Sequence, residues 1–346
     1  MDFTPEPSQQ AVADVVNAVL DRENTWEALV SGGVTALGVP ERFGGDGLGL
    51  AEIGTALTEI GRHATCAPAL ATLGLGLLPL LDLASEGQQQ RYLGRVGQGA
   101  ILTAALNEPG ASFPDRPAVT LEAGRLNGVK LAVPYARQSV WMVVSIDGGV
   151  VVVSPGADGV RLSATPTSTG AEEFALEFCD VAVDDDAVLE GATARRVNQL
   201  AVAAIGAYAS GLMAGAVRLT ADYVTQRHQF GRPLATFQTV AAQLAEVYIA
   251  SRTMGLASSS AIWRLCEGLD ADEDLDVLCY WLTSQAPPAM QTCHHLHGGM
   301  GMDISYPMHR YYSSIKDLTR VLGGPAHRLD LLGRRHDRRG AQCSSN

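Results

Sequence analysis

The feature that most constrains this chain is a double change in its hydrophobic period. Over the first hundred residues the apolar positions recur at helical spacing. Val12, Val15, Val16, Val19 and Leu20 lie within Gln9–Arg22, and residues 49–63 and 68–96 continue the pattern after a Gly/Pro-rich stretch. Between residues 101 and 190 the period shortens. Val143, Val144, Val150–Val153 and Val160 form β-branched runs cut by Asp-Gly, Gly-Gly and Ser-Pro-Gly, and residues 171–183 partly alternate. From about residue 192 the helical signal returns. Ala203, Ala207, Gly211 and Gly215 fall four apart, a stripe of small residues that permits a close helix crossing. Phe237–Arg264, Leu275–His297, with a kink expected at Pro287 and Pro288, and residues 308–332 supply three more long helices. The pattern predicts an N-terminal helical domain (1–100), a middle β domain (101–190) and a C-terminal four-helix bundle (191–346) with a polar tail that frays.

Composition narrows the function classes. At 346 residues, with 47% hydrophobic and 18% charged, the chain is too long for one ordinary core and too apolar for disorder. The longest apolar stretch, Leu70–Leu81, is about a dozen residues and contains Pro79, so no membrane span is expected. The acidic, polar N-terminus does not read as a signal peptide. A net charge of −12 argues against nucleic acid as the main partner. Six cysteines without a CxxC pair suggest free thiols in a reducing cytoplasm.

Phosphate-binding and nucleophile-elbow signatures (GxxxxGK, GxGxxG, GxSxG) are absent. Two other stretches carry information. Arg227-His228-Gln229-Phe230-Gly231-Arg232-Pro233, followed by Phe237-Gln238, reads as a helix that ends at a glycine turn and restarts after a proline. It leaves a permanently charged guanidinium near the turn, suited to an anion such as a pyrophosphate. The bland alternative is a capped helix hairpin with a surface arginine. The second stretch is His294-His295-Leu296-His297-Gly298-Gly299-Met300-Gly301. Its histidines are not spaced four apart and no carboxylate lies near them before Asp303, so no metal site is expected. The glycines allow backbone to approach a ligand, or simply cap a helix.

Together the two stretches resemble the acyl-CoA dehydrogenase family, with its RxxFG…FQ and QxxGGxG turns; His295 stands where the family has Gln. The resemblance extends over the whole chain. Val39-Pro40-Glu41-Arg42-Phe43-Gly44-Gly45, Thr58-Glu59-Ile60-Gly61-Arg62, Asn107-Glu108-Pro109-Gly110 and Tyr306-Pro307-Met308-His309-Arg310 match further family segments in order. It implies the three-domain fold above and FAD bound between subunits. Arg227, Gln229, Phe230, Phe237, Gln238, His295, Gly298 and Gly299 would then hold the ADP half of a neighbour's FAD.

The chain departs from the family where the chemistry occurs. The family's usual catalytic carboxylate falls at Leu322 or Gly323, and the alternative position falls at about Ala201, next to Val202 in place of an arginine. None of these can take a proton. The flavin-facing segments differ too. Ala111-Ser112-Phe113-Pro114-Asp115 follows Gly110, and Leu131-Ala132-Val133-Pro134 follows Lys130, with proline replacing a hydroxyl residue. No catalytic residue is therefore assigned.

The chain resembles the smaller, base-lacking subunit of α2β2 members that act on steroid side-chain CoA thioesters, as in cholesterol catabolism. That resemblance implies FAD shared with a Glu-containing paralogue and an acyl-CoA bound mainly by the partner. An electron-transfer flavoprotein is a possible further partner. Two alternatives stay open: a homomeric enzyme with its base relocated to Glu108, Asp222 or Glu246, and a flavin-free acyl-CoA-binding scaffold.

Overall fold

The computed structural model describes residues 3–343. It divides into two compact units, one of residues 4–60 with 65–205, the other of 61–64 with the chain from 206 onward.

The first unit opens with helices. In α1 (Pro7–Leu20) Val12, Val16 and Leu20 are buried at spacing four, and a Glu6–Gln9 capping box closes its N-terminus. α2 (Trp26–Ser31) is capped by the Thr25 hydroxyl, which accepts the Ala28 amide at 3.2 Å. After α3 (Leu50–Arg62) comes an eight-residue π-helix, Leu70–Leu77, then α4 (Leu78–Leu83) and α5 (Glu86–Leu93). The expected helical stretch 68–96 is thus interrupted. Its wide π-turn brings Gly74 against Ala204 and Gly76 against Leu102, where any side chain would collide.

Seven strands follow: β1 (Leu102–Ala105), β2 (Thr120–Glu122), β3 (Arg125–Pro134), β4 (Trp141–Ile146), β5 (Gly149–Val153), β6 (Val160–Thr165) and β7 (Glu173–Ala182). They form a three-stranded sheet β1-β4-β5 and a four-stranded sheet β2-β3-β7-β6. The valine runs become the antiparallel β4–β5 hairpin, while β1 pairs parallel to β4. Both sheets contribute inward residues to one core, among them Val144, Val151, Phe174 and Leu176.

α6 (Ala194–Gln226) runs from the first unit into the second. It is long and apolar enough to cross a membrane, but 83% of its apolar window is buried inside the protein, as in a core helix. Scattered polar residues such as Ser210 divide it into shorter apolar stretches without lowering the mean hydropathy much. The small-residue stripe makes a close crossing: a side chain on Gly215 would strike the Arg62 carbonyl, and one on Gly61 the Tyr208 carbonyl. Two-residue strands β8 (His228–Gln229) and β9 (Arg232–Pro233) lead to α7 (Gln238–Cys266) and α8 (Asp272–His297). α8 is assigned continuously through Pro287 and Pro288.

The fourth expected helix, 308–332, is two: α9 (Met308–Val321) and α10 (Gly324–Cys343). Gly323 and Gly324 adopt φ of 85° and 81°, which ends a right-handed helix. The Arg335 guanidinium bonds Asp276 and Asp272 at 2.6 and 2.7 Å, tying α10 to α8. The basic tail expected to fray is helical as far as Cys343; residues 344–346 lie outside the described residues.

Candidate cofactor site

The Arg227 segment folds as a tight hairpin. α6 closes with the Arg227 amide donating to the Tyr223 carbonyl at 2.8 Å, and the Arg227 carbonyl accepts the Leu234 amide at 2.8 Å. Between them β8 and β9 are joined by Phe230 (φ 54°) and Gly231 (φ 81°). Two successive left-handed residues are what a two-residue hairpin needs to match strand twist. Phe230 is 90% exposed at the tip, edge-on to Phe237 at 6.1 Å, and the Arg232 guanidinium covers the Phe237 ring at 4.1 Å. Arg227, Gln229 and Gln238 are exposed, and Arg227 makes no ion pair among the described residues.

The glycine turn ends α8. Gly298 has φ 57° and ψ −135°, a conformation open essentially to glycine alone. The three histidines diverge. His295 is exposed, His294 lies against Tyr312 at 5.1 Å, and His297 is buried. The His297 ring stacks on Tyr223 at 4.6 Å. Tyr223 is one turn before Arg227, and His297 directly precedes Gly298. This contact therefore brings the hairpin and the glycine turn to the same end of the bundle. Nothing in the sequence singles out Tyr223, to which only its helical offset from Arg227 could have drawn attention, and Tyr306 stands there as part of a family segment without a role.

Potential proton acceptors are accounted for as follows. Ala201 and Val202 are buried apolar residues. Leu322 is buried, and its carbonyl receives the Arg328 Nε at 2.6 Å. The Glu108 carboxylate receives Lys130 Nζ at 2.7 Å and the Ala118 and Val119 amides at 2.7 and 3.2 Å. Burial alone would raise its pKa, but the Lys130 bond and the two amides outweigh burial and hold it below the usual carboxylate range. Lys130 is pushed down to about 8 by burial, opposed by Glu108. Glu108 is thus committed to a structural ion pair. Asp222 and Glu246 are exposed helix residues.

The comparisons identify the family. Residues 4–100 match the acyl-CoA dehydrogenase N-terminal domain, and residues 196–335 match the acyl-CoA dehydrogenase C-terminal domain. The acyl-CoA dehydrogenase FadE28 of Mycobacterium tuberculosis is 67% identical over 97% of this chain and 99% of its own length. The chain belongs to the acyl-CoA dehydrogenase family. Among solved structures, the ChsE4-ChsE5 complex from Mycobacterium tuberculosis matches with a TM-score of 0.88 at 27% identity, covering 97% of this chain and 99% of that one. A variant of the Tcur3481-Tcur3483 steroid ACAD matches with a TM-score of 0.89 at 28% identity, covering 96% and 98%. The fold is that of an acyl-CoA dehydrogenase: helical, β and helical domains in order.

This family is FAD-dependent. In the β-domain segments that would face a flavin ring, three backbone amides are engaged within the protein and one position has lost its donor. The Ala111 amide donates to the Glu108 carbonyl at 3.0 Å, the Phe113 amide to Asn107 Oδ1 at 2.9 Å, and Pro114 has none. Phe113 is held in a left-handed conformation (φ 52°), and its carbonyl and that of Pro114 accept the Asn198 side-chain amide at 3.0 and 3.1 Å. On β3 the Leu131 amide donates to the Asn107 carbonyl at 2.8 Å, and the Pro134 carbonyl accepts the Thr103 hydroxyl at 2.6 Å. Those amides are spent within the β domain and are not offered to a ring. The exposed Arg227 and the open glycine turn do fit an anionic diphosphate.

Proposed function

We propose that this chain is the non-catalytic, FAD-clamping subunit of a heteromeric acyl-CoA dehydrogenase that α,β-desaturates an acyl-CoA thioester, with a steroid side-chain CoA as substrate. The observation that carries the reading is an asymmetry. The hairpin and glycine turn remain open toward an anion, while in the β-domain segments the Ala111, Phe113 and Leu131 amides are spent within the protein, Pro134 has no amide donor, and both base positions are apolar. FAD, where bound, supplies the hydride acceptor. This chain's part is to bind and orient: Arg227 pairs with the diphosphate, Gln229, Phe230, Phe237 and Gln238 border it, and His295, Gly298 and Gly299 bring backbone close to it.

The base and most of the acyl-CoA contacts come from a Glu-containing paralogue in an α2β2 assembly. Electrons would leave to a carrier such as an electron-transfer flavoprotein, and the chain works in a reducing cytoplasm. The steroid substrate and the paired arrangement are supported by the similarity to the ChsE4-ChsE5 complex and the steroid ACAD. The homomeric alternative is weakened because Glu108 is engaged by Lys130. The test is purification with and without the paralogue. The chain alone should be colourless, and the complex yellow and bleached by acyl-CoA. A chain that is yellow and bleaches by itself defeats the reading.

A further inference from the structure

We propose that His297 is the positioning residue that registers the glycine turn against the Arg227 hairpin, so that both halves of the clamp hold one geometry. This rests on the clamp assigned above. Gly298 and Gly299 carry no side chains, so the turn cannot fix its own position and needs an anchor outside itself. His297 is 2% exposed and stands immediately before Gly298. Its ring lies 4.6 Å from Tyr223 with the planes 26° apart, and the carbonyl of that same Tyr223 receives the Arg227 amide. Beyond the turn, Tyr306 closes on both rings, 5.2 Å from His297 and 6.4 Å from Tyr223. The chain therefore enters and leaves the glycine turn around one imidazole. His297 Nδ1 lies 2.7 Å from the Cys293 carbonyl, to which it must donate, a tie to its own helix that adds to the ring packing.

The groups around the ring add a readout. Its own helix brings His294; α6 brings Tyr223, with Asp222 acting on Tyr306; the segment after the turn brings Tyr306, and His309 beside His294. Burial lowers the His297 pKa, and the Cys293 and Leu219 carbonyls offset that only in part. The stacked arrangement is therefore at full strength above the ordinary imidazole range and weakens as pH falls below it.

The test uses the assembled complex and reads FAD retained after dialysis, at about pH 7.5 and about pH 5.5, on either side of the ordinary imidazole value. His297→Ala should weaken retention about tenfold at the higher pH. His297→Phe preserves the stack and should stay within about threefold of wild type there, but lose the extra FAD release that wild type shows in acid. Wild-type retention in the Ala variant overturns the proposal. So does a Phe variant as weak as Ala, or one that keeps the acid-dependent release. If the Ala variant fails to assemble, the Phe variant alone decides. Undiminished FAD in Arg227→Ala would defeat the clamp itself; loss with Arg227→Ala but not with His297→Ala defeats only the role of His297.

Discussion

Arg227 and Glu108 are both charged side chains in a chain with no assigned catalytic group, yet their surroundings give them opposite uses. Arg227 is exposed and without an ion pair among the described residues, so its charge is available to a ligand. A charge-assisted hydrogen bond contributes roughly 1.5–3 kcal/mol. Arg227→Ala should therefore weaken FAD retention in the complex by about one to two orders of magnitude. Arg227→Lys should recover part of it, since lysine lacks the planar fork. Dialysis against FAD-free buffer measures both. Glu108 is spent on holding the β domain together. Lys130→Met leaves its carboxylate buried without a counter-charge and should cost about 3–5 kcal/mol, seen as a lower melting temperature. Because the folded Glu108 pKa is depressed, its stabilising contribution is present above the unfolded value and is lost as pH falls through the folded one. Replacing the pair together, Glu108→Gln with Lys130→Met, should flatten the acid limb of the stability curve.

At the scale of elements, missing side chains let α6 approach the end of α3 closely. Gly61 and Gly215 each leave room for a carbonyl of the other helix, and Tyr311 donates to the Arg62 carbonyl at 2.8 Å beside them. Gly215→Leu would drive a side chain into the Arg62 carbonyl and should destabilise the chain by about 1–3 kcal/mol or more, measured by denaturant titration. The break between α9 and α10 follows the same logic of backbone over pattern. The apolar spacing runs on through 308–332, but two left-handed glycines end one helix there, and Arg328 caps its last carbonyl.

For the molecule as a whole, the prediction concerns stoichiometry. With Pro134 and Phe113 where flavin contacts are expected, and the Phe113 amide spent on Asn107, an α2β2 assembly should release one FAD per heterodimer on denaturation, not one per polypeptide. Spectrophotometric counting against protein decides this, and a ratio of one per chain contradicts the subunit role. The isolated chain should turn over no acyl-CoA, since general-base catalysis commonly supplies about 10²–10⁴-fold and neither base position can provide it. Detectable acyl-CoA-dependent dye reduction by the pure chain would overturn that.

The sequence by itself determined what depends on neighbours along the chain. The helical and β zones followed from hydrophobic period, the stops at Gly231 and Gly298 from backbone freedom, and the missing carboxylates from residue identity; the break at Gly323 and Gly324 did not, because the apolar spacing runs on through it. Tertiary structure decided what depends on distant residues. The parallel pairing of β1 with β4, the Asn198 bond to the loop at Phe113, and the stacking of His297 on Tyr223 join positions far apart in the chain. No local period encodes such pairings, because each is selected by the packing of whole elements. The π-turn at Leu70–Leu77 is of the same kind: its residues favour any buried helix, and the tight seat of Gly74 and Gly76 against Ala204 and Leu102 goes with the wider turn.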